Sequence, residues 1–246
     1  MRTFKLTIEY DGTDFNGWQL QSNANRTVQG ELEAVLLKLF KKRVPVIGSG
    51  RTDSGVHARG QVAHFRADTS LECDAIQRAF NYNLPYDVTV VLVEEEDDRF
   101  HAQHSAKRKT YSYTVLNREY PSALERKRCL FFPRKLNVAL MKREAASLVG
   151  KMDFSSFANV NLSRKGDAVR SIYRLDIRKC GDFLVFVVEA DGFLYKMVRN
   201  IVGTLLDVGS GRFPSGSAKN ILRARDRRSA GVAAVPQGLC LEEVKY

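Results

Sequence analysis

The sequence contains no uninterrupted run of about 18 apolar residues, which is the length that a helix needs to cross a membrane. Its N-terminus enters an alternating strand pattern directly and has no secretory signal, which would begin with a basic segment followed by an apolar one. These two absences argue against a membrane-bound or secreted protein. We therefore expect a cytoplasmic protein with no membrane partner.

Cysteine and clustered metal ligands are also scarce. None of the four cysteines has the close spacing of a zinc site, so we expect reduced thiols rather than a disulfide framework. His101 and His104 are three residues apart but have no third ligand beside them, and we expect no metal. The cysteines are Cys73, Cys129, Cys180 and Cys240.

Positive charge is what the chain has in excess. Its 246 residues are 44% apolar, an ordinary content for one large or two small globular domains, and carry a formal net charge of +11. Residues 1–104 contain 12 Lys and Arg against 15 Asp and Glu, a net of −3, whereas residues 105–246 contain 27 against 13, a net of +14. A basic half of this size indicates a polyanionic partner, although a solvated basic surface would give the same count.

Hydrophobic periodicity predicts a mixed fold in the first half of the chain. Apolar residues alternate over residues 4–10, as in a half-buried strand, and residues 62–65 and 88–93 are also β-prone. Thr27 and Ser70 each precede an amphipathic pattern and are placed to cap a helix.

The second half loosely repeats this order. Residues 111–115 alternate as a strand, Asn137 is placed to cap a helix, and Gly181-Asp182 is placed to join two strands as a hairpin. A third helix is predicted over residues 195–208 and a short one from Ser217. The two halves predict an α+β protein with domains 1–106 and 107–246.

Two segments of the second half, 118–136 and 158–170, lack clear periodicity and are rich in Lys and Arg. They are either insertions that contact RNA or ordinary exposed loops.

One acidic residue stands among glycines and arginines. Asp53 lies between Gly48, Gly50 and Gly55, two residues after Arg51 and six before Arg59. Glycine allows positive φ and close approach of a partner, and nearby cations favour the ionised carboxylate. The pattern is typical of a loop that presents one charged carboxylate. Asp-Ser-Gly is also an ordinary turn sequence, so these residues alone leave both interpretations open.

A second unusual cation occurs in the third predicted helix. Arg199 is surrounded by bulky apolar residues, and an arginine on a largely buried helix usually needs a carboxylate partner. Asp53 is a candidate for that partner. Lys196 and Asp207, on the same polar stripe, are interpreted as solvent-facing.

A series of motifs, spread over essentially the whole chain, resembles the pseudouridine synthases of the TruA type, which modify transfer RNA. The segments that carry the resemblance are residues 10–19 (YDGTDFNGWQ), 26–33 (RTVQGELE), 50–58 (GRTDSGVHA), 108–113 (RKTYSY), 153–157 (DFSSF), 193–200 (FLYKMVRN) and 236–239 (PQGL).

The resemblance implies an α+β fold of two related RRM/ferredoxin-like subdomains, with antiparallel sheets side by side and a basic central cleft. It implies a cofactor-independent homodimer that isomerises uridine to pseudouridine at positions 38, 39 and 40 of the tRNA anticodon arm. Asp53 would be the catalytic carboxylate, acting on the base, on the anomeric carbon or as a base at the sugar. Arg199 would pair with Asp53, Tyr111 would stack on the uracil, and Tyr113 would pack. Arg51 would serve either as a wedge or phosphate clamp for the flipped nucleotide, or as a salt bridge that orients Asp53.

Two other classes of protein are considered. A non-catalytic RNA-binding protein with tandem RRM-like halves fits the charge, but the sequence has no aromatic RNP1-like run. An aspartic protease fits Asp53-Ser54-Gly55, but such enzymes need two carboxylates that share a proton, which the flanking arginines would oppose.

Overall fold

The computed structural model describes residues 1–21, 26–159 and 168–246. Within these ranges, strands and helices alternate in a mixed α+β order, as predicted. The strands are β1 (Arg2–Tyr10), β2 (Ile47–Gly48), β3 (His57–Ala67), β4 (Val88–Glu96), β5 (Arg108–Leu116), β6 (Leu130–Phe131), β7 (Gly150–Asp153), β8 (Val169–Cys180), β9 (Phe183–Ala190) and β10 (Leu239–Lys245). The α-helices are α1 (Val28–Phe40), α2 (Cys73–Asn83), α3 (Val138–Ala146), α4 (Met197–Gly209) and α5 (Ser217–Ala224).

The chain forms two compact units, which we call unit 1 (residues 1–107 with 240–246) and unit 2 (residues 108–239). The predicted boundary after residue 106 lies one residue from the end of the first segment. The assignment of residues 240–246 to the second domain differs from the structure, because β10 pairs in parallel with β3. This pairing joins residues that are more than 180 positions apart, which local periodicity does not reveal.

Unit 1 is built on the strand order β4-β1-β3-β10, with β2 beside β3. Strand β1 runs antiparallel to both β3 and β4. The predicted alternation is confirmed, since Phe4, Leu6 and Ile8 are fully buried. The Phe4 ring stacks on Phe65, with 5.2 Å between their centroids, and the Phe80 ring of α2 meets the other edge of this cluster.

One of the two predicted helix caps in unit 1 is confirmed. The Thr27 hydroxyl accepts a hydrogen bond from the N–H of Gly30 at 3.2 Å, as expected for an N-cap. The predicted Ser70 cap is wrong. Thr69 accepts a hydrogen bond from the N–H of Leu71 and holds these residues in a turn, so α2 begins only at Cys73.

Unit 2 is built on the antiparallel order β5-β9-β8-β7, with β6 in parallel beside β5. The Asn137 cap is confirmed, because its side chain accepts from the N–H of Leu140 at 3.0 Å. The predicted hairpin is also confirmed, with Gly181 at φ +58° between β8 and β9. Helix α4 is almost entirely buried, which makes it the centre of the unit's core.

Candidate active site

The predicted catalytic carboxylate lies in a loop of unit 1 that we call the Asp53 loop, residues 49–56, between β2 and β3. Asp53 is half-buried and Arg51 is exposed. The carbonyl of Asp53 accepts from the N–H of Val56 at 3.2 Å, which closes a tight turn, and Gly55 has φ +77° within it. The loop is thus both a turn and a platform that leaves one carboxylate partly open to solvent.

Two glycines fit the Asp53 loop against the turn at residues 11–18. A Cβ on Gly12 would lie 1.9 Å from the carbonyl oxygen of Val56, and one on Gly17 would lie 2.6 Å from that of Thr52. Gly17 also has φ +87°. The N–H of Trp18 donates to the Thr52 carbonyl at 3.1 Å. Only glycine allows this approach, so the opening motif of the chain holds the loop in place.

The Asp53 loop is fixed at its C-terminal end by further polar contacts. The Ser54 hydroxyl donates to the Phe15 carbonyl at 3.0 Å, and His57 Nδ1 accepts from the N–H of Gly12 at 3.1 Å. Arg59, which the sequence suggested as a cation beside Asp53, instead pairs with Glu242 at 2.8 Å. The ion-pair partner of Arg59 is thus a carboxylate that β10 brings from the other end of the chain, and an influence of Arg59 on Asp53 stays a prediction.

The predicted base-stacking residue lies in unit 2. Tyr111 is on β5 and is 8% exposed, and its ring meets the edge of Phe193 with 5.1 Å between the centroids. Phe193 precedes α4, so this aromatic pair links the strand to the start of the helix. The arrangement holds the Tyr111 ring in one orientation.

Arg199 and Tyr113 are both anchored by the segment that follows residue 230. The Arg199 Nε donates to the Ala234 carbonyl at 2.7 Å, and the Ala234 N–H donates to the Arg199 carbonyl at 3.0 Å. The Tyr113 hydroxyl donates to the Val235 carbonyl at 2.8 Å. Burial raises the pKa of Tyr113, and the nearby charge of Arg199 opposes that rise. Tyr113 is fully buried, which agrees with the packing role expected for it.

Asn200 is a residue whose role the sequence did not reveal. Periodicity places it on the polar stripe of α4, yet it is fully buried. Its amide donates to the Phe157 carbonyl at 2.6 Å and to Asn159 at 2.8 Å, and its oxygen accepts from Arg227 at 2.8 Å. The signal available in the sequence was an amide directly beside Arg199 on an otherwise apolar helix.

The two histidines that are three residues apart, His101 and His104, lie in unit 1. The rings of His101 and His104 are 4.2 Å apart, and that of His101 is 5.0 Å from His64. His101 Nδ1 accepts from two backbone N–H groups, and burial lowers its pKa. Across residues 1–21, 26–159 and 168–246, no group of three or more His, Cys, Asp or Glu is arranged to hold a metal.

The charge of the chain is divided unequally between the units. Unit 1 contains 14 Lys and Arg against 17 Asp and Glu, a net of −3, and unit 2 contains 25 against 11, a net of +14. The basic segment 118–136 is largely exposed, whereas Arg164 and Lys165 of the other basic segment lie outside the described residues. No described helix combines the length and apolar character required to cross a membrane.

Comparison with known proteins agrees with these observations. The chain is 43% identical to tRNA pseudouridine synthase A of Thermoanaerobacter sp. (strain X514) and 41% identical to tRNA pseudouridine synthase A 2 of Bacillus cereus (strain ATCC 14579), and each match covers 100% of both chains. A solved Cbf5–Nop10–Gar1 complex aligns with 96% of this chain and 57% of that chain at 12% identity, with a TM-score of 0.37, which is too low to bear on the site. Residues 6–105 and 145–246 match the family described as tRNA pseudouridine synthase, and the chain belongs to that family.

Proposed function

We propose that this protein isomerises uridine to pseudouridine in the anticodon arm of tRNA, at positions 38, 39 and 40. The observation that carries the proposal is that the chain is 41–43% identical, over its full length, to proteins named tRNA pseudouridine synthase A. The Asp53 loop supports it, because the loop is built to present a carboxylate. The basic character of unit 2 suits a polyanionic substrate.

The reaction exchanges one glycosidic bond for another. The bond between uracil N1 and the ribose C1′ breaks, the bond between C5 and C1′ forms, the C5 hydrogen leaves as a proton, and N1 gains one. We propose Asp53 as the nucleophile, since a carboxylate is ionised at neutral pH and is also a good leaving group. The reaction needs no oxidant, reductant or cofactor.

Arg51 and Tyr111 are proposed to hold the substrate. A uridine within a stem must leave the helix before it can react, at a cost of a few kcal/mol. Arg51 is exposed on the Asp53 loop and can bind a phosphate of the flipped nucleotide or take the place of the base. The Tyr111 ring, held by Phe193, can stack on the uracil, a contact worth about 1–3 kcal/mol.

Arg199 is proposed as the cation that pairs with Asp53. Its Nε is anchored to the Ala234 carbonyl at 2.7 Å, which fixes the orientation of the guanidinium plane. A planar guanidinium binds a carboxylate in a defined geometry, which an ammonium does not reproduce. The support for the pairing is the motif around Arg199 together with this anchor.

The architecture that suits this function is two RRM/ferredoxin-like subdomains with a basic central cleft, working as a cytoplasmic homodimer. Its support is the family resemblance and the largely antiparallel pairing of the strands within each unit. Sedimentation equilibrium of the purified protein would test the dimer.

The central experiment measures release of tritium from tRNA that carries 5-tritiated uridine. Asp53→Asn should abolish multiple turnover while leaving tRNA affinity nearly intact, because one carboxylate carries the chemistry and many cations carry the binding. Asp68→Asn, an exposed carboxylate of the same unit, serves as the matched control and should keep full activity. Turnover by Asp53→Asn, after deamidation has been excluded, would contradict the assignment.

The same assay distinguishes this enzyme from the alternative, a non-catalytic RNA-binding protein. Such a protein would bind tRNA with a similar dependence on salt but would release no tritium, because only isomerisation frees the label from C5.

A further inference from the structure

A buried polar network lies beneath the Asp53 loop in unit 1. It consists of Tyr10 on β1, Ser49 and Thr52 in the loop, and Gln61 on β3, which are 3%, 0%, 7% and 0% exposed. Buried polar groups are costly unless they are hydrogen-bonded. A fully buried glutamine on a core strand therefore calls for a specific set of partners.

Gln61 is the centre of this network. Its Oε1 accepts from the Ser49 hydroxyl at 2.8 Å and from the N–H of Val62 at 3.2 Å. Its Nε2 donates to the Gly50 carbonyl at 3.1 Å and to the Tyr10 hydroxyl at 3.4 Å. The amide thus uses both of its donors and accepts twice, and two of the four partners are in the Asp53 loop.

Tyr10 extends the network to the residue before the carboxylate. Its hydroxyl is 2.8 Å from Thr52 Oγ1. Because Gln61 donates to the Tyr10 oxygen, the Tyr10 proton remains available for Thr52. Gly50 and Thr52 are the two residues that flank Arg51, and Thr52 directly precedes Asp53. One buried amide therefore fixes the backbone on both sides of Arg51 and at the entry to Asp53.

We propose that Gln61 is a positioning residue for the reaction, which holds Asp53 and Arg51 in their reactive geometry through Gly50, Tyr10 and Thr52. The proposal rests on the proposed role of Asp53. Gln61 makes no contact with substrate in this mechanism; it acts through the Asp53 loop. A loop that carries a reacting group must be rigid, because a displacement of about 1 Å can lower a rate by about 100-fold.

The test compares Tyr10→Phe, Gln61→Leu and their double variant by single-turnover tritium release and by tRNA binding. Tyr10→Phe keeps the ring and removes the hydroxyl that lies between Gln61 and Thr52, so the rate should fall about 10-fold. Gln61→Leu removes the side-chain hydrogen bonds to Ser49, Gly50 and Tyr10 and should lower the rate about 100-fold, with the dissociation constant for tRNA within about twofold of wild type. The double variant should be slowed by less than the two single losses combined, because Gln61 and the Tyr10 hydroxyl are bonded to each other and act on the same loop.

Gln77→Leu is the matched control. Gln77 also lies in unit 1 and donates two hydrogen bonds, to the carbonyls of Val90 and Val91 at 3.2 and 2.7 Å, but on α2 rather than at the Asp53 loop. It should lose stability and keep the wild-type rate at a temperature where it is fully folded.

Three results would overturn the proposal: folded Tyr10→Phe or Gln61→Leu with a rate within twofold of wild type, rate and affinity falling together in step with thermal stability, or additive losses in the double variant. If Gln61→Leu does not fold, Tyr10→Phe alone tests the first two of these results. Failure of the proposed function is a separate result, since the wild-type protein would then release no tritium.

Discussion

Gly12 is the residue at which a single methyl group should most directly disturb the Asp53 loop. In Gly12→Ala, the new Cβ would lie 1.9 Å from the Val56 carbonyl oxygen and 2.5 Å from its carbon. Because Cβ atoms essentially never come closer than 3.0 Å, the turn and the loop must separate by about 1 Å. The contact is with backbone, so no side-chain rotation relieves it.

The displacement passes directly to the carboxylate. The Val56 N–H is bonded to the Asp53 carbonyl, so movement of Val56 opens the turn that holds Asp53. A misplacement of about 1 Å predicts a rate loss of about 100-fold, or about 2.7 kcal/mol in activation free energy. Overpacking of this kind also lowers the free energy of unfolding by about 1–3 kcal/mol.

Single-turnover tritium release at a temperature where the variant is folded measures the loss, and filter binding measures tRNA affinity, which should change little. Gly181→Ala is the matched control, because Gly181 has φ +58° in an exposed hairpin and a Cβ there meets nothing within 4 Å. It should lose stability but no rate. A folded Gly12→Ala protein with a rate within threefold of wild type would refute the argument that this close approach positions Asp53.

Three further changes have defined outcomes. Arg199→Leu should lower the single-turnover rate strongly and change tRNA affinity only modestly. Arg199→Lys should recover only part of the rate, because an ammonium group lacks the planar set of donors of a guanidinium. Equal rates for the two variants would show that Arg199 acts through packing. Replacing Arg126, Lys127 and Arg128 with Gln should weaken tRNA binding and reduce the magnitude of the slope of log affinity against log salt by about 0.7–0.9 for each phosphate contact removed. Lys42→Gln in unit 1 is the control and should leave this slope unchanged. An unchanged slope in the triple variant would show that these three residues do not contact phosphates of the tRNA. Burial, assisted by the charges of His101 and Arg66, lowers the pKa of His64 to about 4. Between pH 6.5 and 4, His64 is therefore largely protonated in the unfolded chain and neutral in the folded protein. The free energy of unfolding should therefore fall as the pH drops from about 6.5 to 4, by at most about 1.4 kcal/mol per pH unit, and urea titrations of His64→Gln should show a shallower decline.

The local elements of this fold could be predicted because their signals are local. Alternation marks β1, and Thr27 and Asn137 mark the starts of α1 and α3, since a helix cap depends on residues three positions apart. The prediction that Ser70 caps a helix failed because the hydroxyl residue before it, Thr69, binds the backbone N–H of Leu71 and forms a turn ahead of α2.

The candidate site could be predicted only in part. Asp53 and Arg199 stand out because their chemistry contrasts with that of their neighbours in the chain. Contacts between residues far apart in the chain produce no such contrast in the local sequence. Arg59 pairs with Glu242, which is 183 positions away. The buried partners of Gln61 are determined by the pairing register of the strands rather than by spacing in the sequence.

The discontinuity of unit 1 has a consequence for biosynthesis. Residues 108–239 are contiguous, whereas unit 1 is incomplete until residues 240–246 have been made. The carbonyl of Glu242 packs where a Cβ on Gly60 would be, and the Tyr246 hydroxyl donates to the Ala102 carbonyl at 2.8 Å. The half of the chain that carries Asp53 is thus translated first and finished last. Released chains truncated after residue 239 should therefore be cleaved by proteases at the β3 edge faster than the full chain.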